Sequence, residues 1–332
     1  MPRQLFLVCI IALFNFPLFA QVAVGQWRDH LPYSQGVQIA DAGEWIYAAS
    51  ESGLFQHHKA DGDIIRLSKV NGMSDIGFSS IAWSDANNTL VVAYSNTNID
   101  LIRNGEVTNI PDIKNKSILG FKTINDIHIK DDYAYLACGF AVVVIDLVRF
   151  EIKDTYYIGP QGTSLNIHDV AASETELYAC TESGVYHADL SGTNLANFEN
   201  WTKFTGLPDG KYNAGTWFGN KLYVNRSLED ARDSLFYYNG FNWNYFNNVE
   251  EQVVNSLESS SDRLLVISEG NVAEFDADHQ RYRLAFDYGG GLYARPRHAT
   301  IDSEATIWIA DGYNGLIRHP VNNSFQLIGV NG

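Results

Sequence analysis

The stretch "ELYACTESGVY" at residues 176–186 is nearly a copy of "WIYAASESGLF" at residues 45–55. A third version, "TIWIADGYNGLI", occupies residues 306–317. Tyr47, Tyr178 and Trp308 hold the same place in the three copies, at offsets of 131 and 130 residues. An offset of this size divides into three steps of about 43 residues, which indicates a shorter repeating unit.

Intermediate copies stand at those steps, so the chain contains seven repeats. Each repeat consists of short β-branched or aromatic runs separated by Gly, Asn and Asp, which is typical of strands and turns. A period of roughly 40–50 residues is the signature of β-propeller blades. The sequence therefore predicts an all-β fold, a seven-bladed β-propeller of four-stranded blades. The equivalent positions are Tyr47, Val91, Leu136, Tyr178, Tyr223, Leu265 and Trp308.

The first twenty residues differ from the repeats. "MPRQLFLVCIIALFNFPLFA" has Arg3, an apolar run and Ala20 before Gln21. This order is typical of a secretory signal peptide, and the apolar run is shorter than a membrane-spanning helix requires. We predict a signal peptide over residues 1–20, a single propeller over residues 21–332, and export across the inner membrane to the cell surface, the outer membrane or the periplasm.

The composition is acidic, with a formal net charge of −16. Removing Arg3 with the leader leaves 22 basic and 39 acidic residues, a net charge of −17. This balance argues against nucleic acid as a partner, because DNA and RNA select basic surfaces. Cys138 and Cys180 are the cysteines beyond the leader. They occupy equivalent places in neighbouring blades, too far apart for a disulfide, and are predicted to be buried free thiols.

Ligand sites in propellers gather where the loops entering the innermost strands surround the central channel. His128 and His168 are predicted on innermost strands, where a purely structural role is the alternative interpretation. Arg295 and Arg297, in "YARPRH", form the one cationic cluster that stands out from the acidic chain. The predicted ligand or partner face contains Asp126, His128, His168, Tyr212, Tyr293, Arg295 and Arg297.

Local catalytic motifs are absent from the sequence. There is no Gly-x-Ser-x-Gly elbow, no P-loop and no His-x-x-x-His pair. We therefore predict no catalytic residues, no metal site and no cofactor.

The blade junctions "HLPYSQGVQIAD", "GMSDIGFSSIAW" and "GLPDGKYNAGTW" resemble the two-component-regulator type of propeller repeat. The stretch "VGQWRDHLPYSQGVQIADAGEWIYAASESGLF" and the blade "INDIHIKDDYAYLACGFAVVVIDL" are similar to the N-terminal propeller of the PorZ family. This second resemblance is strongest over residues 25–215. Members of that family have two propellers and a C-terminal β-sandwich, so the resemblance implies that this chain corresponds to the first propeller.

The PorZ resemblance implies a non-enzymatic protein of the cell surface or outer membrane. Its expected role is that of an interaction module in the type IX secretion attachment complex, which sorts cargo and anchors it to lipopolysaccharide. The expected partners are outer-membrane secretion-complex proteins like PorU, PorV and PorQ. One alternative is the glycan-sensing propeller of a hybrid two-component regulator, and another is a propeller lyase or glycosidase.

The chain ends and the net charge support two more expectations. Trp27–His30 is predicted to pair beside the seventh blade and so join the chain ends, because "GQWRDHLPY" resembles a blade end and an open sheet edge needs cover. Anionic lipopolysaccharide is predicted to bind this domain alone weakly or not at all. The negative field opposes a polyanion, and Arg295 with Arg297 is too small a site to reverse that field.

Overall fold

The computed structural model describes residues 31–228, 232–247, 253–260, 262–321 and 325–330. These residues form seven four-stranded antiparallel sheets, each built from one continuous stretch of chain. The prediction of a seven-bladed propeller is confirmed. We number the blades 1 to 7 in chain order and the strands of each blade first to fourth.

The strands of each blade pair in sequence order, first to fourth. The first strands are Gly36–Ala42, Phe78–Ser84, Ile124–Lys130, Ile167–Ala172, Tyr212–Phe218, Val254–Ser259 and Pro296–Ile301. The second strands are Trp45–Ser50, Thr89–Tyr94, Tyr133–Cys138, Glu176–Thr181, Lys221–Arg226, Leu264–Ser268 and Ile307–Asp311. The third strands are Leu54–His58, Ile99–Arg103, Val142–Asp146, Gly184–Asp189, Ser234–Tyr238, Val272–Phe275 and Gly315–His319. The fourth strands are Ile64–Leu67, Glu106–Ile110, Glu151–Tyr156, Thr202–Lys203, Trp243–Tyr245, Arg281–Ala285 and Gln326–Ile328.

Helical structure in the described residues is limited to short turns in the connections. Asp112–Asn115 is a single turn of α-helix, and Lys69–Asn71, Pro160–Gly162 and Phe198–Asn200 are 3₁₀ turns. Within the described part of the chain, no helix is long and apolar enough to cross a bilayer.

The first strands surround the axis. Each contacts the first strand of the next blade, and the first strand of blade 7 contacts that of blade 1, so the ring is closed. The loops that lead into the first strands share one face of the disc with the loops between second and third strands. We call this the entry face, because the innermost strands begin there.

The predicted repeat positions all fall on second strands, with Tyr47 and Val91 in blades 1 and 2 and Trp308 in blade 7. Trp308 and Tyr223 are among the largest fully buried side chains. The third strand of blade 3, Val142–Asp146, is buried along its whole length, as its continuous apolar sequence predicts.

The core is divided among the seams between blades. The buried apolar residues form seven clusters in the described chain, one at each seam. Trp308 of blade 7 packs with Ile46 and Phe55 of blade 1, for example. Sheet-on-sheet burial at each seam therefore holds the ring together, since apolar burial is the dominant stabilising term in folding.

Both cysteines are buried and free, as predicted. Cys180 lies at the seam between blades 4 and 5, where a Cβ added to Gly215 would come within 2.6 Å of its Sγ. Only a glycine fits that position of the first strand of blade 5, because any side chain would collide with the thiol. Burial raises the pKa of Cys180 well above its ordinary value, so the thiol is not poised to react.

The predicted signal peptide and the predicted pairing of Trp27–His30 lie outside the described residues. The outer position of blade 7 is occupied by Gln326–Ile328, which pairs with the third strand of that blade. The first described residues enter at the seam between blades 7 and 1. There Tyr33 packs edge-on against Phe55, with ring centroids 5.5 Å apart.

Candidate functional site

Every first strand contains a β-bulge at the same place, one residue after the strand begins. The bulge inserts one unpaired residue into the strand and redirects its side chain. These seven unpaired residues together line the axial channel at the entry face, around a cavity of about 140 Å³. The bulge residues are Val37, Ser79, Asn125, His168, Asn213, Asn255 and Arg297.

Three of the bulge residues are asparagines that link neighbouring blades. Asn125 Nδ2 donates to the carbonyl of Ile167 at 2.6 Å, and Asn213 Nδ2 donates to that of Val254 at 2.8 Å. Asn255 Nδ2 donates to the Pro296 carbonyl at 2.7 Å. Each bond reaches the residue before the bulge of the next blade, so it satisfies a carbonyl near the channel mouth.

Two bulge residues have basic side chains that meet carboxylates. His168 Nε2 lies 2.8 Å from Glu182 Oε2, and Arg297 Nη1 lies 3.0 Å from Glu51 Oε1. Burial lowers the pKa of His168, so its contact with Glu182 is a hydrogen bond of an uncharged ring at neutral pH. The positive charge of Arg297, on the rim of the mouth, is neutralised within the chain by Glu51.

The residues after the bulges form a second ring, deeper in the channel. Gln38 Nε2 donates to Asp126 Oδ1 at 3.1 Å, and Gln38 Oε1 accepts from the Ile81 amide at 3.1 Å. Asp169 Oδ2 accepts from the Gly215 amide at 2.7 Å. This ring, which we call the polar belt, contains Gln38, Ser80, Asp126, Asp169, Ala214, Ser256 and His298.

Asp126 and Asp169 come from adjacent blades and hydrogen-bond to each other. Burial, together with the neighbouring Asp126 carboxyl, raises the pKa of Asp169 well above its ordinary value. Burial and the negative charge of Glu258 also raise the pKa of Asp126. Two enclosed carboxylates in contact cannot both ionise, so the pair shares a proton near neutral pH.

Glu258 and His298 form the second charged group of the channel, with 2.7 Å between Oε1 and Nε2. Burial lowers the pKa of His298, but the Glu258 carboxylate outweighs it and the net pKa is raised. His298 is only 8% exposed, and its Nδ1 has no hydrogen-bond partner. The imidazole therefore meets the channel through its Nε2 contact with Glu258, while its unpartnered Nδ1 is enclosed.

His128 also faces the channel, two residues further along the first strand of blade 3 than Asp126. Burial lowers its pKa to about 4, against the opposing effect of Glu258. The ring is therefore uncharged at neutral pH. No cluster of three metal-ligating side chains suited to an ion occurs in the part of the chain that the structure describes.

The structure brings four of the predicted candidates to the axis. Asp126 and His128 line the channel, while His168 and Arg297 stand on its rim. Tyr212 is fully buried, and its hydroxyl donates to the Pro208 carbonyl at 2.8 Å. This placement corrects the expectation that Tyr212 lies on the ligand face. It occupies the position before the bulge, which is buried in all seven blades.

Tyr293 and Arg295 lie apart from the axis, in a surface cavity of about 680 Å³ at the entry face. Arg295 Nη1 is 3.1 Å from the Tyr313 hydroxyl, and its guanidinium lies 5.0 Å from the centre of that ring. Tyr293 is 83% exposed. Arg295 and Arg297 both approach Gly312, but they face different cavities.

The repeat pattern and the ring of blades are shared with known proteins. Residues 46–202 match the family model described as the type IX secretion PorZ N-terminal β-propeller domain. Over these residues the chain is similar to the PorZ N-terminal propeller. The structure of PorZ, a bacterial surface component of the type IX secretion system of Porphyromonas gingivalis, has a TM-score of 0.76 and 22% sequence identity to this chain. The match covers 93% of this chain and 40% of PorZ, so the chain spans well under half the length of that relative.

A computationally designed protein, Ika8, is also similar to this chain, at a TM-score of 0.59 and 7% identity. That match covers 87% of this chain and 97% of the designed one. At these identities both structural matches show the shared fold. No curated protein matches the chain.

Sequence reasoning missed several channel residues of this propeller. Asp169, Glu258 and His298 carry interacting titratable groups in the channel, and none was predicted. Aligning the repeats on their second strands places Asp169 and His298 at the position of Asp126. The alignment could have identified Asp169 and His298 as channel residues, because equivalent positions of the blades converge on the axis of a propeller.

Proposed function

We propose that this PorZ-like propeller is a non-enzymatic interaction module of the type IX secretion attachment complex. It is exported, lies at the cell surface or outer membrane, and binds outer-membrane complex proteins like PorU, PorV or PorQ. The family match to residues 46–202 supports the link to type IX secretion. The distribution of exposed apolar side chains supports the entry face as the docking surface.

Large apolar side chains are exposed mainly on the entry face. Leu119 and Phe121, in the loop before the first strand of blade 3, are 87% and 74% exposed. The corresponding set on the opposite face is smaller, and contains Val148, Phe241 and Val321. Concentrated apolar exposure marks interaction surfaces, because solvating it is unfavourable. The entry-face set contains Val70, Ile76, Leu119, Phe121, Val253, Phe286, Leu292, Tyr293 and Tyr313.

The loop that carries Leu119 and Phe121 is held in place. Ser164 Oγ, from the next entry loop, donates to the Leu119 carbonyl at 3.0 Å. Lys122 Nζ donates to the carbonyls of Lys114 and Lys116 at 2.6 and 3.1 Å. A loop fixed in this way presents its apolar side chains at little entropic cost on binding.

Binding of the purified chain to PorU-, PorV- and PorQ-like proteins tests the proposal. We expect Leu119→Ser with Phe121→Ser to weaken binding at least about tenfold, because two exposed anchors are lost from the interface. The matched control is Val148→Ser with Phe241→Ser on the opposite face, where the residues are 60% and 86% exposed. Equal loss in both double variants, or no binding by the wild-type chain, would overturn the proposal.

A second candidate is a propeller glycosidase or lyase. It is favoured by the proton-sharing pair Asp126 and Asp169 and by the nearby His298 and Glu258, which lie together in the channel. Turnover of a polysaccharide by the purified chain, lost in Asp126→Asn, would establish this function in place of the first. The interaction module predicts that no turnover occurs.

A further inference from the structure

A second cavity, of about 310 Å³, lies on the axis and shares the polar belt with the mouth cavity. We call it the axial chamber. It is lined by residues of all seven first strands and extends from Gln38 toward Asp41 and Trp83. Its volume equals that of about ten water molecules, enough for one small organic molecule. The chamber is distinct from the apolar entry face, so a ligand held there would add a function to the proposed docking of proteins.

One side of the axial chamber carries strong hydrogen-bonding groups. Asp126, Asp169 and Glu258 present carboxyl oxygens from blades 3, 4 and 6. His298, nine-tenths buried, has an Nδ1 with no partner. The His298 Nε2 closes this side through its 2.7 Å contact with Glu258 Oε1. Enclosed carboxyl oxygens are strong hydrogen-bond acceptors, so these groups favour a ligand with several hydroxyl donors.

The other parts of the wall are an indole ring and hydroxyl groups. Trp83 stacks on Tyr47, with ring centroids 5.8 Å apart and an interplanar angle of 22°. Its Nε1 donates to Asp85 Oδ1 at 2.7 Å, so the indole is held in one orientation. Thr216 and Thr300 add hydroxyls from blades 5 and 7. An indole with hydroxyls suits a molecule that has an apolar C–H face and polar edges.

The charges of the chamber nearly balance. Glu258 is paired with His298, the aspartate pair shares a proton, and His128 is uncharged at neutral pH. The remaining negative charge on the aspartate pair is stabilised by the Gln38 amide and the Gly215 N–H. A polyanion is repelled by these carboxyl groups, and a cation gains little from a pair already holding a proton.

We propose that the axial chamber binds a small neutral polyhydroxylated molecule, namely a monosaccharide or the terminal sugar of a neutral glycan. Hydroxyl groups of the ligand donate to Asp126, Asp169 and Glu258. The C–H face of the ring packs near Trp83. The sugar is bound and released unchanged.

Calorimetric titration of the purified chain with glucose, galactose, mannose and N-acetylglucosamine tests this. We expect at least one of them to bind with millimolar affinity or better. Asp126→Asn and Thr300→Val are each expected to weaken it about tenfold, a cost of about 1.4 kcal/mol. The control is Asp209→Asn, an exposed carboxylate at the entry face paired with Lys203. Thr300→Val keeps the test decisive if Asp126→Asn does not fold.

Three outcomes overturn the inference. The first is the absence of binding by all four sugars at millimolar concentration. The second is binding that neither chamber variant weakens. The third is glucosamine binding about tenfold more tightly than N-acetylglucosamine, since that preference identifies an ammonium site instead. If proteins dock on the entry face, Thr300→Val leaves their binding unaffected. The sugar-binding proposal can therefore be wrong while the protein-docking proposal is right, and the reverse.

Discussion

Arg297 of blade 7 and Glu51 of blade 1 form an ion pair across the seam at which the ring of blades closes, with 3.0 Å between Nη1 and Oε1. Arg297 is one of the two arginines that stand out in the sequence as an anion site. Its partner is supplied by the chain itself. Weak binding to anionic lipopolysaccharide is therefore expected for two reasons. The net charge of −16 repels a polyanion, and the positive charge of Arg297 is already paired.

Releasing Arg297 is expected to strengthen binding to a polyanion. Glu51→Gln removes the partner carboxylate, and we predict about a threefold gain in affinity for anionic lipopolysaccharide, since an exposed ion pair is weak to begin with. Glu44→Gln, at an exposed turn on the opposite face, changes the net charge equally and is the control. Titration calorimetry at physiological salt measures both. An equal gain in the two variants would show that only the global field matters.

Trp308 is expected to be a main stabilising residue of the closing seam. It is fully buried, and its Nε1 donates to Asp302 Oδ2 at 2.8 Å. Trp308→Ala is predicted to lower the free energy of unfolding by about 3–5 kcal/mol, because it leaves a cavity and removes one hydrogen-bond donor from the buried Asp302 carboxylate. Denaturant titration measures the loss. Phe241→Ala, at an 86% exposed position, should leave the unfolding midpoint unchanged.

Glu274 is expected to be far more important for stability than an exposed carboxylate in a similar ion pair. It is 2% exposed, lies 2.9 Å from Arg263 Nε and also contacts Arg283 Nε. Glu274→Gln should destabilise the fold by about 3 kcal/mol, because two guanidinium groups lose their buried counter-charge. Asp209→Asn removes an exposed partner of Lys203 and should unfold like the wild type. A similar small effect in both variants would contradict the prediction.

His128 is expected to make the fold sensitive to acid. Its folded pKa of about 4 lies below the ordinary value of 6.5, so the unfolded chain binds a proton that the folded chain does not. Stability is therefore lost as the pH falls from about 6.5 toward 4, with a slope below about 1.4 kcal/mol per pH unit because the ring faces the channel. His128→Gln should flatten this part of the profile. Thermal unfolding measured at several pH values gives the comparison, and parallel profiles would refute the assignment.

The sequence predicted the fold well because each blade repeats one pattern. Tyr47, Tyr178 and Trp308 occupy equivalent buried sites on second strands, and burial constrains such sites in every blade. The number of blades follows directly from their spacing.

The channel was harder to predict because its residues meet only across blades. Asp169 and Glu258 lie 89 positions apart in the sequence and come together through ring closure. Tyr212 was misplaced because it was assigned to the loop entering the first strand of blade 5, whereas it begins that strand and is fully buried.

The bulges affect which positions of this protein can accept amino-acid substitutions. Each bulge residue is left out of the strand pairing, while its neighbours keep the seam packed and the register fixed. A bulge position whose side chain bonds to no neighbouring blade, such as Val37, can therefore be substituted with little effect on the fold, whereas the asparagine bulges also link neighbouring blades. Related chains have a means to vary the chemistry of the mouth blade by blade, while the scaffold that presents it stays the same.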